Sequence, residues 1–96
     1  MNDEVTVLVP PLLRPLVGGD AELILEVGEG ASLGEVLDAL ALEFPVFARR
    51  VRDETGSLRR YVNIYLDGVD VRRGSGLKSR VTAGQELMII QSVAGG

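Results

Sequence analysis

The chain closes with Val93-Ala94-Gly95-Gly96, directly after the apolar run Glu86-Leu-Met-Ile-Ile-Gln91. That ending puts a carboxylate on a short, unhindered tether. Glycine has no side chain to crowd its carbonyl and reaches backbone angles closed to other residues, so such a tail can thread a channel too narrow for a bulkier terminus. Gly96 is the candidate reactive residue, and Gly95 keeps its approach slim. Glycine-rich ends also arise without function where termini fray, so the pair needs support from the rest of the sequence.

Other sources of chemistry are scarce. There are no cysteines and no histidines, which removes thiol nucleophiles, imidazole bases, disulfides and every zinc site built on sulfur or nitrogen ligands. Ser32, Ser57, Ser75, Ser79 and Ser92 have no histidine to activate them, and a serine–lysine pair would rest on Lys78 alone. Asp67 and Asp70 could be paired carboxylates, but Asp67-Gly68 reads better as a hairpin turn with Asp70 facing solvent beyond it. Gly28-Glu29-Gly30 is followed by Leu33 and fails the dinucleotide fingerprint, and no glycine-rich loop ends in Gly-Lys-Ser/Thr. The sequence predicts no self-contained active site, no metal and no resident cofactor: this is not an enzyme.

Ninety-six residues, 46% of them hydrophobic and 25% charged, are expected to form one globular domain with its own core. The acidic opening Met1-Asn-Asp-Glu4, with Arg14 following before any spanning apolar run, predicts a soluble cytoplasmic protein without membrane association. Net charge is −4 and uneven: residues 1–48 hold nine acids and one base (−8), and residues 49–96 hold five acids and nine bases (+4). An acidic chain with four aromatic residues is a poor nucleic-acid binder. Arg49-Arg50, Arg59-Arg60 and Arg72-Arg73 read as a solvated face or as a means of steering acidic partners.

The elements that must hold the tail are set by periodicity. Val5, Val7 and Val9 alternate with Thr6 and Leu8 as a first strand stopped by Pro10-Pro11, and Leu12-Leu13-Arg14-Pro15 is expected in a wide connection. Gly18-Gly19-Asp20 turns into a second strand, residues 22–27, paired antiparallel with the first. Ser32 with Glu35 forms a capping-box signature, so a helix should begin at Leu33 and present Leu33, Val36, Leu37, Leu40 and Phe44 on one face until Pro45 stops it. Residues 46–60 read as an irregular excursion in which Val46, Phe47 and Val51 fit one apolar-faced turn, followed by a loop at residues 53–57. A strand over 61–66, the Asp67-Gly68 turn, a short strand over 69–71 and a last strand over 86–91 complete the order.

That order predicts an α+β chain of β-grasp type, a mixed sheet of four to five strands around one main helix. A generic α+β sandwich would fit the first hairpin and helix equally well. In the β-grasp reading the domain spans 1–91, the last strand lies inside the sheet, and residues 92–96 form a flexible tail. Because Leu87 and Ile89 alternate with Met88 and Ile90, one pair must face away from the helix. With Val62, Ile64 and Leu66 inward, Tyr65, Met88 and Ile90 are expected to make an apolar docking patch near the tail, ordinary surface scatter being the alternative.

The whole chain resembles the ubiquitin-like sulfur carriers, the family of MoaD and ThiS. It is most like the CysO branch, which serves cysteine biosynthesis. The resemblance is carried by Leu13-Arg14-Pro15 with Gly18-Gly19, Val62-Asn-Ile-Tyr65, Asp70-Val-Arg72, Gly76-Leu77 and Val93-Ala-Gly-Gly96; Arg73-Gly-Ser75 departs from the usual pattern, so contacts there are expected to differ. The resemblance implies that an E1-like enzyme using ATP and magnesium adenylates the Gly96 carboxylate, and that sulfide or a persulfide displaces AMP to leave a thiocarboxylate. Tyr65, Met88 and Ile90 would dock the activating enzyme. It further implies attack on an aminoacrylate held on pyridoxal phosphate by a cysteine synthase, with a JAMM-type metalloprotease releasing cysteine afterwards. Molybdopterin, thiamin thiazole or thiosugar synthesis would use the same tail with another acceptor. A ubiquitin-like modifier forming isopeptide bonds, and a non-covalent β-grasp module, are the competing readings.

Overall fold

The computed structural model describes residues 3–92. Five strands and two helices run in the order β1 (Glu4–Leu8), β2 (Glu22–Glu26), α1 (Leu33–Glu43), α2 (Pro45–Val51), β3 (Val62–Leu66), β4 (Val69–Asp70) and β5 (Glu86–Gln91). They build one mixed sheet in the order β2-β1-β5-β3-β4, with β1 parallel to β5 and every other neighbouring pair antiparallel. The β-grasp expectation holds, with the last strand at the centre of the sheet. Among the described residues no helix is long and apolar enough to cross a membrane.

Local chemistry starts α1 where the sequence predicts. The Ser32 hydroxyl accepts from Glu35 N and the Glu35 carboxylate accepts from Ser32 N, both at 3.1 Å, so two orphan donors at the helix start are satisfied reciprocally. Leu33, Val36, Leu37 and Leu40 are buried against Val5 and Val7 of β1, Val62 and Ile64 of β3, and Leu87 and Ile89 of β5. Removing each such side chain from water contributes about 1.5–3 kcal/mol, which fixes which sheet face meets the helices. Slipping β5 by one residue would exchange Leu87 and Ile89 for Met88 and Ile90 and lose that burial.

Three segments differ from the sequence reading. Residues 46–60 do not begin as an irregular excursion: Pro45, whose lost N–H costs nothing at a helix start, opens α2, and Phe47 and Val51 are buried while Val46 stays exposed. Phe44 is the boundary residue between the two helices and only partly buried, so the core face of α1 ends at Leu40. The connection after β1 is a 3₁₀ segment over Pro11–Val17 that buries Leu13 and Val17, closed by Gly18 in the left-handed region at φ 74°. The strand expected over 69–71 is shorter, because the Asp70 carboxylate accepts from Arg72 N at 2.9 Å and turns Val71 into a 3₁₀ turn.

Candidate functional site

Because β5 has neighbours on both sides, its C-terminal end emerges from the middle of a sheet rather than from an edge. Val62 pairs with Gln91, and Ser92 N donates to Tyr61 O at 2.8 Å, so the ladder holds to the last described residue. Val93, Ala94, Gly95 and Gly96, the tail and its reactive carboxylate in the sequence reading, lie outside the described residues.

The three predicted docking residues do come together. Tyr65 stands opposite Met88, and Asn63 opposite Ile90, on the face turned away from α1. Met88 and Ile90 remain 39% and 38% exposed, while Leu87 and Ile89 between and beside them are buried. Tyr65, Met88 and Ile90 line a shallow depression of about 190 Å³ together with Gly68 and Glu86. Leu8 extends this apolar strip, since it pairs with Met88 from the other side. The alternation in β1 already turns Leu8 outward, but the β1–β5 register that sets it beside Met88 is a long-range fact. Glu86 puts a carboxylate at the rim farthest from the tail.

One device fixes the start of β5 and another the start of β3, which pairs with the end of β5. At the start of β5, Asp67 N donates to Glu86 O and Glu86 N donates to the Asp67 carboxylate, both at 2.9 Å. Asp67 adopts φ 47°, a left-handed conformation that aspartate accepts better than most residues, with Gly68 next at φ 84°. At the other end, the Arg72 guanidinium donates to Val62 O at 2.5 Å, to Arg59 O at 2.8 Å and to the Asn63 side-chain oxygen. Arg72 is therefore a clasp across the start of β3, beside the residue paired with Gln91, and not simply part of a solvated face. Likewise Arg59 Nε donates to Arg49 O at 2.6 Å and ties α2 to the loop before β3. Asp67 and Asp70, weighed as paired carboxylates, each serve a turn.

Outside this region, Asp53 organises the loop after α2. Its carboxylate accepts from the Thr55 hydroxyl at 2.6 Å, from Thr55 N at 2.9 Å and from Ser57 N at 3.2 Å. The Thr55 hydroxyl bond above all holds its pKa below the ordinary 3.8, against the effect of burial. Among the described residues, no three acidic, histidine or cysteine side chains group closely enough to hold a metal ion.

The arrangement is a display: an apolar strip on the central strand, which is tied at its start to the Asp67 turn and paired at its end with the clasped start of β3. Known proteins share this architecture. The chain is similar to the sulfur carrier protein CysO of Mycobacterium tuberculosis, 36% identical over 94 residues, which cover 96% of this chain and 98% of CysO. It is 30% identical over 80 residues to small archaeal modifier protein 1 of Haloferax volcanii, covering 83% of this chain and 87% of that protein. Among solved structures it superposes on Mycobacterium tuberculosis CysO with a TM-score of 0.80 at 34% identity over 93% of this chain and 99% of that one. It superposes on the structure of the Amycolatopsis orientalis BexX/CysO complex with a TM-score of 0.77 at 35% identity, covering 96% of this chain and 99% of that one. The ThiS family model matches residues 3–96, and the chain belongs to the ThiS family.

Proposed function

We propose that this protein is a sulfur carrier, a substrate of enzymes rather than a catalyst, that delivers sulfur from a thiocarboxylate on Gly96. The near full-length similarity to CysO is the observation that carries the reading. The exposed strip of Tyr65, Met88 and Ile90 on the strand leading to the tail supports it by giving an activating enzyme a surface to grip. In the proposed reaction an oxygen of the Gly96 carboxylate attacks the α-phosphorus of ATP, with magnesium on the phosphates, and pyrophosphate leaves. Sulfide, or the terminal sulfur of a persulfide, then adds to the carbonyl carbon, and AMP departs with the electron pair of the broken C–O bond. With a persulfide donor the product is an acyl disulfide, and a second thiol of the enzyme attacks the donor sulfur and breaks the S–S bond, which releases the thiocarboxylate and leaves a disulfide in the enzyme. Adenylation matters because a carboxylate is a poor electrophile and AMP is a good leaving group.

The thiocarboxylate is a soft nucleophile that requires no cysteine in the carrier, which suits a chain without one. Cysteine biosynthesis is the acceptor pathway we favour, with a pyridoxal-phosphate cysteine synthase as acceptor and a JAMM-type metalloprotease to release the product. The reading places the protein in the cytoplasm. The complex of CysO with BexX in a solved relative supports direct engagement of a partner protein by the carrier. Incubation of the protein with ATP, sulfide and the host's E1-like enzyme, followed by intact mass measurement, tests the proposal: one oxygen should be exchanged for one sulfur, located on Gly96.

A second reading is favoured by the similarity to small archaeal modifier protein 1. In that reading activated Gly96 is attacked by lysine amines, forming isopeptide bonds. Lysine-linked adducts ending in Gly96, recovered from cells, would favour it.

A further inference from the structure

We propose that the arginine-only cluster beside the end of β5 determines which acceptor an activated Gly96 can meet: it surrounds the tail exit with positive charge but no amine, so the acyl group passes to sulfur and is not captured by the carrier's own chain. The proposal rests on the activation of Gly96 stated above.

The chain holds nine arginines and a single lysine, Lys78. The fold sorts them by place. Three arginine-bearing segments that are separate in sequence meet where the tail leaves. Arg59 Nε donates to Arg49 O at 2.6 Å, and the Arg72 guanidinium donates to Arg59 O at 2.8 Å and to Val62 O at 2.5 Å. Val62 is paired with Gln91 and Tyr61 O accepts from Ser92 N, so this cluster adjoins the end of β5. On the other side of β5, Arg14 Nε donates to Val9 O at 3.0 Å, just past the end of the parallel strand β1. Asp53 and Asp70 lie among these arginines, and the carboxylate of each already accepts from backbone N–H donors of its own loop.

Lys78 stands elsewhere. It ends the 3₁₀ turn Gly76–Lys78 and is exposed. Leu77 O lies 3.5 Å from where a Cβ on Gly34 would sit, in the first turn of α1, and Ser79 O accepts from Leu33 N at 2.8 Å. From there Val81 N donates to Ala31 O and Gly84 N to Glu4 O, both at 2.8 Å, and the chain enters β5 at Glu86. The lone side-chain amine is thus tied to the start of β5 and the arginine cluster to its end. Six residues of strand separate those ends by about 20 Å. An extended chain gains at most about 3.6 Å per residue, so the four residues after Ser92 fall short of the far end.

Arginine and lysine carry the same charge with different chemistry. A guanidinium stays protonated and is a poor nucleophile, whereas a lysine amine gives up its proton readily enough to act as one. On the acyl-adenylate, a neutral lysine Nζ would attack the Gly96 carbonyl carbon and form a C–N bond. The C–O bond to AMP breaks with its electron pair on AMP, and the nitrogen gives a proton to solvent. The resulting amide is closed to sulfur. An amine held beside the tail would react at the high effective concentration of an intramolecular group, ahead of sulfide from solution.

The test uses the full chain with Gly96 converted to a small-thiol thioester by intein cleavage, so its result does not depend on whether an enzyme activates Gly96. Arg60 and Arg73 are the positions to change, because both are exposed and, among the described residues, neither has a side-chain hydrogen bond or ion pair. In mildly alkaline buffer the unsubstituted chain and Lys78→Arg should go to the free acid by hydrolysis. Arg60→Lys and Arg73→Lys should also give an internal amide, one water lighter than the acid. Fragmentation should place that bond at the substituted position at least about tenfold more often than at Lys78 of the same molecule. Glu29→Lys, which puts an amine in the loop before α1, should behave as the unsubstituted chain. In denaturant the order should reverse for Arg60→Lys: Lys78 is 18 residues from Gly96 and position 60 is 36, which favours Lys78 by about threefold through loop closure alone. Native-state capture at Lys78 equal to that at the substituted positions, equal capture by Glu29→Lys, or no internal amide in either arginine variant would overturn the proposal.

Discussion

Tyr65 and Met88 face each other across the β3–β5 ladder on the side of the sheet turned away from the helices, and the strand that holds Met88 is the one that runs toward Gly96. In the proposed function, docking and delivery are thereby coupled through one element. A partner that grips Met88 and Ile90 holds a strand with neighbours on both sides, so the distance and direction from the grip to the start of the tail are set before binding. Rigid placement of a reactive group is worth more than affinity alone.

Met88→Asp places a charge in that strip without touching the core. The KM for the carrier in ATP–pyrophosphate exchange by the E1-like enzyme should rise by about tenfold or more, as for a central interface residue, with the melting temperature little changed. Unchanged KM would remove the strip from the docking surface.

Phe47→Ala should destabilise the fold by about 3–5 kcal/mol through the cavity it leaves, measured by denaturant unfolding. Leu40→Ala on α1 should cost about 2–5 kcal/mol by the same mechanism. Comparable losses would show that α2 is part of the core rather than an appendage. Sulfur loading should persist wherever either variant remains folded.

The sequence carried the strands, α1 and the outward side of Tyr65, Met88 and Ile90, because each rests on a two- or four-residue period or on a short turn signal such as Asp67-Gly68. The central place of β5 followed from the β-grasp order of the elements, while the pairing of Tyr65 with Met88 is a long-range register. Helix α2 was hidden because seven residues give too few turns for a period to register, and Pro45 stops one helix while starting another. The burial of Leu13 and Val17 was hidden for a similar reason: Pro11 and Pro15 suggest an open connection, yet a 3₁₀ turn tolerates both and folds Leu13 under. The Arg72 clasp rests on contacts 9 to 13 residues away in the chain. No local pattern could distinguish it from a solvated arginine.

At Asp67, conformation and hydrogen bonding can be separated. Asp67→Ala loses the acceptor for Glu86 N and must hold a left-handed conformation, whereas Asp67→Gly loses only the acceptor. The glycine variant should be more stable than the alanine variant by about 1 kcal/mol, read from chemical denaturation.

Asp53 gives the loop after α2 a pH dependence of defined sign. Its folded pKa lies below the ordinary 3.8, so its contribution is present above that value and is lost as pH falls through the folded pKa. Titration by NMR should find the depressed value, and Thr55→Ala should move it upward.

Sulfur carriage rests on the state of one carboxylate, and the intact mass of the protein isolated from its native cells, with fragmentation to locate any change, tests it most directly. The expected result is a fraction in which one oxygen of Gly96 has been replaced by sulfur, and its absence from a variant lacking Gly96 that melts at the same temperature. A carboxylate that stays unmodified in cells, and again with ATP, sulfide and the host's E1-like enzyme, would contradict it.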